Sequence, residues 1–225
     1  MKFGVIRFPG SCDDVDALLA AELVGDAVML WHADTDLRAV DAVIVPGGFS
    51  YGDYLRAGAI ASLSPVMEAV AQFARQGGLV LGICNGFQVL CESRLLPGAL
   101  LPNVSLRFVC RQVELEVVRA DGAFTRACAP GQRLSIPVKH TTGRFHATAR
   151  ELDRLEAAGQ VLLRYRSGEN PNGSLCDIAG VCNERGNVFG LMPHPEHAVD
   201  PLTGSTDGIA IFQSMRAHVE HLALA

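Results

Sequence analysis

The sequence predicts an α/β protein: a doubly wound, mostly parallel sheet flanked by helices, with extra antiparallel strands in the C-terminal half. Three observations predict it. Short apolar runs, each the length of one buried strand, alternate in the first half with stretches of helical periodicity. Glycine-rich turns follow two of these runs, at 46–54 and 82–86, where a doubly wound sheet carries its functional loops. From residue 112 onward the pattern becomes polar–apolar alternation, as in antiparallel strands with one solvated face.

Taken in order, residues 3–8 form a first apolar strand, and Pro9-Gly10-Ser11 turns out of it. Asp13 and Asp14 are placed to cap a helix with apolar positions at Val15, Leu18, Leu19 and Leu23. Residues 26–31 and 41–46 give the next two strands. The loop PGGFSYGDY (46–54) has three glycines in nine residues. It is no phosphate loop, since the chain contains neither GxxxxGK[ST] nor GxGxxG. Residues 65–75 form a helix with Val66, Val70 and Phe73 inward. Leu79 to Ile83 is a strand apolar enough to be buried on both faces, and Cys84 and a helix over 85–92 follow it directly. Antiparallel strands are expected at 112–118, 133–138, 161–165, 177–182 and 187–191, with helices at 151–158 and 207–222. No repeat or linker interrupts the chain, so one domain over 1–225 is the expectation.

Composition narrows the function classes. The chain is 49% hydrophobic and 19% charged with mean hydropathy +0.23, enough apolar material for a sizeable core. A net charge of −5, a pI near 5.8 and the lack of a Lys/Arg cluster argue against a nucleic-acid or anionic-membrane surface. No apolar run approaches the ~18 residues of a membrane span. The start, MKFGVIRFPG, reads as a strand rather than a signal peptide, and a cytoplasmic location is expected. Seven cysteines, irregularly spaced and without CxxC, suggest free thiols in a reducing compartment. Cys176, Cys182 and a distant histidine lack the spacing of a zinc site, and no metal is expected.

Gly82-Ile83-Cys84-Asn85-Gly86 has the form of a nucleophile elbow, with glycines two residues either side of the thiol. A thiol there lies at a helix N-terminus, whose partial positive charge favours thiolate. The Asn85 N–H, left unpaired by the helix, can face an oxyanion, and Gly48 can offer a second N–H. A buried packing cysteine between glycines would look the same in isolation. A nucleophilic cysteine also needs a base and a group to orient it. His194 in Met192-Pro193-His194-Pro195-Glu196 follows an apolar strand. The two prolines keep the segment extended and stiff, so Glu196 lies on the side of His194 and can orient its imidazole. The order Cys, His, Glu fits neither α/β-hydrolases nor papain-like enzymes.

The stretches PGGFSYGDYLRAGAIA (46–61), GICNGFQVLCE (82–92), LLPGALLPN (95–103), IPVKH (136–140), NPNGS (170–174), IAGVCNERGNV (178–188) and GLMPHPE (190–196) span most of the chain. Together they resemble the triad-type (class I) glutamine amidotransferases. More narrowly, they resemble the family of separate glutaminase subunits of phosphoribosylformylglycinamidine synthase, in the purine pathway. The resemblance implies a flavodoxin-like glutaminase fold and a reaction. Cys84 attacks the side-chain amide of L-glutamine, His194 protonates the leaving ammonia and then activates water, and Glu196 orients His194. The N–H groups of Gly48 and Asn85 stabilise the oxyanion, and hydrolysis of the thioester releases glutamate. Gln88 is implied as a substrate-pocket residue, although a polar residue supporting the turn reads equally well. The chain departs from the family's usual residues at Thr141-Thr142, at His197 and at Ser11-Cys12-Asp13-Asp14. No site is assigned at 11–14 or 141–145, and His197 reads as a neighbouring surface residue.

The chain itself shows no ATP loop, and no cofactor of its own is expected. Ammonia released into water is mostly protonated and non-nucleophilic. The resemblance therefore implies docking on a large synthetase subunit that uses ATP and Mg to make formylglycinamidine ribonucleotide, with a small third subunit. Two rivals are another cysteine-nucleophile hydrolase on a similar sheet and a non-catalytic glutamine-binding scaffold.

Overall fold

The computed structural model describes residues 1–224, and its nine-stranded sheet is parallel on one side and antiparallel on the other. The parallel side consists of β1 (Lys2–Arg7), β2 (Asp26–Trp31), β3 (Ala42–Val45), β4 (Leu79–Ile83) and β11 (Val188–Leu191), in the order β2-β1-β3-β4-β11. The antiparallel side continues with β10 (Ile178–Cys182), β9 (Val161–Tyr165), β6 (Val109–Val117) and β7 (Arg133–His140). β5 (Ala99–Leu101) and β8 (Arg144–His146) form a separate antiparallel ribbon. The helices are α1 (Asp14–Glu22), α2 (Pro65–Arg75), α3 (Asn85–Glu92), α4 (Ala149–Ala157) and α5 (Ile209–Leu224). None of them is long and apolar enough to cross a membrane.

Every residue of β3, β4, β10 and β11 is buried, which explains their uninterrupted apolar runs. One strand differs from its expected pairing. β11 is antiparallel to β10 but parallel to β4, so it is the seam between the two halves. Burial on both faces leaves no alternation from which its direction could be read. The β5–β8 ribbon was not expected either, because three residues per strand are too few for a period to show.

Helix α1 buries its alanines rather than most of its large apolar residues, of which Leu18 alone packs partly against the core. Ala17, Ala20 and Ala21 are inaccessible, whereas Val15, Leu19 and Leu23 are exposed. Small side chains let the helix lie close to the sheet. Asp13 holds the N-cap position of α1 but makes no capping bond with its side chain, because its carboxylate is engaged elsewhere, as described below.

The elbow helix α3 seats on a floor made by glycines. Gly82 of β4 and Gly190 of β11 are register partners. A Cβ on Gly82 would strike Leu90, and one on Gly190 would strike Phe87. A Cβ on Gly86 would overlap the Val45 carbonyl of β3. Helix and sheet therefore approach at backbone distance. Phe87, fully buried, stacks on Phe145 with centroids 6.0 Å apart.

Gly86→Ala is expected to lower stability by about 1–3 kcal/mol in urea unfolding, because the backbone of β3 cannot yield to the added methyl.

Candidate active site

Strand β4 delivers Cys84 directly onto α3. Its backbone stands at φ 49° and ψ −103°, a sparsely populated conformation for a residue with a Cβ. Two backbone hydrogen bonds hold it there: Cys84 N donates to Leu191 O at 2.8 Å, and Gln88 N donates to Cys84 O at 3.2 Å. Cys84 is 5% exposed, and its sulfur lies 3.8 Å from the Lys139 carbonyl.

His194 follows β11, at the same end of the sheet as Cys84. It is buried completely, and its Nδ1 lies 2.6 Å from Glu196 Oε1, also buried. The contact expected from the sequence forms, but not through an extended segment: Pro195–His197 is a turn of 3₁₀ helix. His194 N donates to Pro137 O at 2.8 Å, which fixes the turn against β7. Burial alone would push the His194 imidazole down. The opposing charges of Glu196 and Cys84 outweigh it and hold the pKa up at about 10. His194 Nε2 is sealed from solvent without a hydrogen-bond partner, and the Cys84 sulfur acts on this ring electrostatically. It is therefore the ring atom free to exchange a proton.

A second charged group backs the first. The Asp13 carboxylate pairs with Lys139 Nζ, lies 3.3 Å from His197 Nε2 and 3.7 Å from His194 Nδ1. Lys139 Nζ is 2.9 Å from His197 Nε2. His197 is thus half-buried and bonded, not the surface neighbour expected, and the 11–14 segment contributes after all. Burial opposes ionisation of Asp13, but the His197 hydrogen bond and the charges of His194 and Lys139 hold its pKa far below the usual carboxylate range. Burial likewise opposes the Lys139 charge, which Asp13, Glu196 and Cys84 restore. Asp13, His194, Glu196 and His197 are near enough together to suggest metal ligands. The Lys139 ammonium already supplies a cation to Asp13 and His197, so a metal would have to displace it.

The thiol opens into a cavity of about 60 Å³ lined by Gly48, Phe49, Asp53, Cys84, Gln88, Phe108 and Lys139, with Cys12, Asp13, His140, Thr141 and Thr142 completing the wall. Residues 141–142, to which the sequence assigned no site, are thus part of it. Gly48 has φ +134°, and a Cβ there would collide with the backbone of residues 10–12. Its N–H donates no hydrogen bond among the described residues. Asn85 is the first residue of α3, whose N–H the helix leaves free. Both are thus free donors, Gly48 in the cavity wall and Asn85 directly after Cys84. Gln88 lines the cavity but is also tethered: its Nε2 donates to Thr142 O and its Oε1 accepts from Asn85 Nδ2 at 2.9 Å. Asn85 Oδ1 accepts from Ser50 N at 3.1 Å, joining the glycine-rich loop to the elbow.

His140, at the end of β7, anchors the wall from behind. Its Nδ1 is 3.1 Å from Asn103 Oδ1, and Asn172 Nδ2 donates to Gly143 O at 2.9 Å and lies 3.4 Å from His140 Nε2. Burial and the nearby His194 charge press the His140 pKa down to about 4. It stays neutral, with Nδ1–H donating to Asn103.

Spacing could not have revealed Asp13, Lys139 and His140 as site residues, because Asp13 arrives from beyond β1 and the other two from the end of β7, far from Cys84 in sequence. The strand order provides the general signal, since ligands gather at the carboxyl ends of parallel strands. Cys84, His194 and the glycine-rich loop follow β4, β11 and β3, and Asp13 lies beyond β1.

A strained elbow thiol, a buried imidazole–carboxylate pair and two free backbone donors are the parts that thiol-dependent acyl transfer requires. The sequence matches the CobB/CobQ-like glutamine amidotransferase domain over residues 1–219. It is 61% identical over 218 residues to phosphoribosylformylglycinamidine synthase subunit PurQ of Rubrobacter xylanophilus, covering 96% of this chain and 98% of that protein. It is 54% identical over 225 residues to the PurQ subunit of Nostoc, covering 99% and 100%. It superposes on a chain of PurLQS from Thermotoga maritima with TM-score 0.90 at 44% identity, over 97% and 98% of the two chains. The chain belongs to the glutamine amidotransferases and, within them, to the PurQ family.

Unfolding free energy is expected to fall as pH drops from 6.5 to 4. Unfolded chains then protonate a histidine that stays neutral at position 140 in the fold. This group contributes up to about 3 kcal/mol, fully present above pH 6.5 and lost on the way down. His140→Gln starts less stable but shows a flatter slope across that window in denaturant titrations.

Proposed function

We propose that this chain is the glutaminase subunit of phosphoribosylformylglycinamidine synthase. It hydrolyses L-glutamine to glutamate and ammonia and hands the ammonia to a synthetase subunit in purine biosynthesis. The observation that carries the reading is the orphaned, buried Nε2 of His194 beside the elbow thiol, with Nδ1 held by Glu196.

The mechanism follows from that geometry. Cys84 sulfur attacks the glutamine side-chain carbonyl, and the oxyanion forms facing the Gly48 and Asn85 N–H groups. His194, charged at rest, delivers its Nε2 proton to the departing nitrogen, so ammonia leaves and a glutamyl thioester remains. The now neutral Nε2 takes a proton from water, which attacks the thioester. Collapse of the intermediate expels the Cys84 thiolate, glutamate departs and the thiolate–imidazolium pair returns. Glu196 keeps the ring oriented through both steps and stabilises its charged form. Gln88 forms part of the substrate wall.

The released ammonia must avoid solvent protonation to remain a nucleophile. That requirement supports docking on a large ATP- and Mg-using synthetase, with a small third subunit as in a PurLQS assembly. Residues 1–225 act as one amidotransferase domain, with no cofactor of their own, in the cytoplasm. The continuous nine-stranded sheet supports the single-domain reading.

Two outcomes test this. Cys84→Ala should abolish glutamate release, while wild-type release should rise when the synthetase, its nucleotide substrate and ATP are added. Equal turnover by Cys84→Ala and wild type would sink the reading. Glu196→Gln should lower kcat by roughly 10²–10⁴-fold with a smaller change in KM, measured as glutamate release in the assembled complex.

A further inference from the structure

The cavity beside Cys84 is lined by three side chains whose ordinary state is charged and that stand apart from the His194–Glu196 pair: Asp13, Lys139 and Asp53. Asp13 and Lys139 neutralise each other. Asp53 has no cationic partner among the described residues. Its one hydrogen bond is from the neutral amide of Asn85, Nδ2 to Oδ1 at 3.1 Å. The nearest basic residue in sequence, Arg56, is turned away and held bidentately by Glu92 at 2.7 and 2.5 Å. Asp53 is also only partly exposed, and burial raises its pKa, partly offset by the Asn85 bond. A half-desolvated carboxylate without a counter-ion is costly unless something supplies one.

Its placement is fixed. The turn from Tyr51 to Asp53 runs through positive φ at 52°, 71° and 54°. The Asn85 amide pins this turn twice, accepting from Ser50 N and donating to Asp53. Asp53 also borders the adjoining groove, together with Phe49, Thr141 and Thr142. It therefore stands where the thiol cavity meets the outside. A substrate whose amide reaches Cys84 would place its other end near this mouth.

We propose that Asp53 binds the α-ammonium group of the substrate and selects a free α-amino acid amide over amides lacking that charge. This rests on the glutaminase reading above. An incoming ammonium supplies the counter-ion that Asp53 lacks, and the Asn85 bond aims the carboxylate beforehand. Asn85 thus couples the group that recognises the substrate to the residue that follows the nucleophile. Gln88, bonded to the same amide, completes that link.

Asp53→Asn retains an acceptor oxygen for Asn85 and removes only the charge. Two thiol reagents separate recognition from folding. 6-Diazo-5-oxo-L-norleucine carries the α-ammonium of glutamine, and iodoacetamide carries none. In the full chain, Asp53→Asn should slow Cys84 labelling by the first at least about tenfold and leave labelling by the second unchanged. In the assembled complex KM for glutamine should rise by a similar factor, more than kcat falls. The preference of wild type for glutamine over its desamino analogue 4-carbamoylbutanoate should narrow accordingly. Unchanged labelling by the diazo analogue, or equal slowing by both reagents, would overturn the proposal by making Asp53 irrelevant or merely structural. Wild-type chain that neither reacts with the diazo analogue nor releases glutamate in the complex would overturn the glutaminase reading itself.

Discussion

The backbone of Cys84 is held at φ 49°, ψ −103°, a conformation that costs of order 1–3 kcal/mol and persists only when its surroundings impose it. Much of the centre of the molecule does so. β11 accepts the Cys84 N–H, and α3 begins on the Cys84 carbonyl. Gly82, Gly86 and Gly190 remove the side chains that would otherwise lift the helix from the sheet. The strain aims the sulfur into the cavity at the positive end of a helix, next to two N–H groups without acceptors. Relaxing it would require moving β3, β4, β11 and α3 together, and all three of these strands are buried throughout.

Electrostatics completes what the backbone begins. Around the sulfur, charges alternate: Glu196 against His194, and Lys139 against Asp13, with His197 bridging Lys139 and Asp13. His194, Lys139 and Asp13 would each be expensive to bury alone, and their neighbours keep these three charged. His140 lies near the same cationic ring but lacks a carboxylate partner. It answers the same burial by remaining neutral. Two histidines at one end of one sheet thus take opposite protonation states, decided by whether a carboxylate faces them.

The glycine-rich loop carries the second half of the site. Gly48, Phe49 and Asp53 reach the cavity from it, and Asn85 ties it to the elbow through Ser50 N and Asp53. Tyr51 anchors its outer side, with its hydroxyl 2.8 Å from His32 Nδ1 and 3.0 Å from Ser64 Oγ. Loop and elbow are therefore one mechanical unit, although Ser50 and Asn85 are 35 residues apart.

The sequence by itself determined the features that depend on local pattern. These are the parallel strands of the first half, the elbow around Cys84, the glycine-rich loop, and the His194–Glu196 pair two residues apart. Short-range sterics and periodicity dictate them, so they can be read without knowing the neighbours. Tertiary structure decided the rest. β11 is parallel to β4 because of its place in the sheet, and a strand buried on both faces carries no mark of direction. α1 turns Val15, Leu19 and Leu23 outward because its alanines fit closer to the sheet. Pro195 to His197 coils instead of extending, yet still brings Glu196 onto His194. Asp13, Lys139, His140, Thr142 and Asp53 become site residues only when the ends of β1, β3, β4, β7 and β11 converge. The distances between separate strand ends depend on the packing of the whole sheet, which no local pattern encodes.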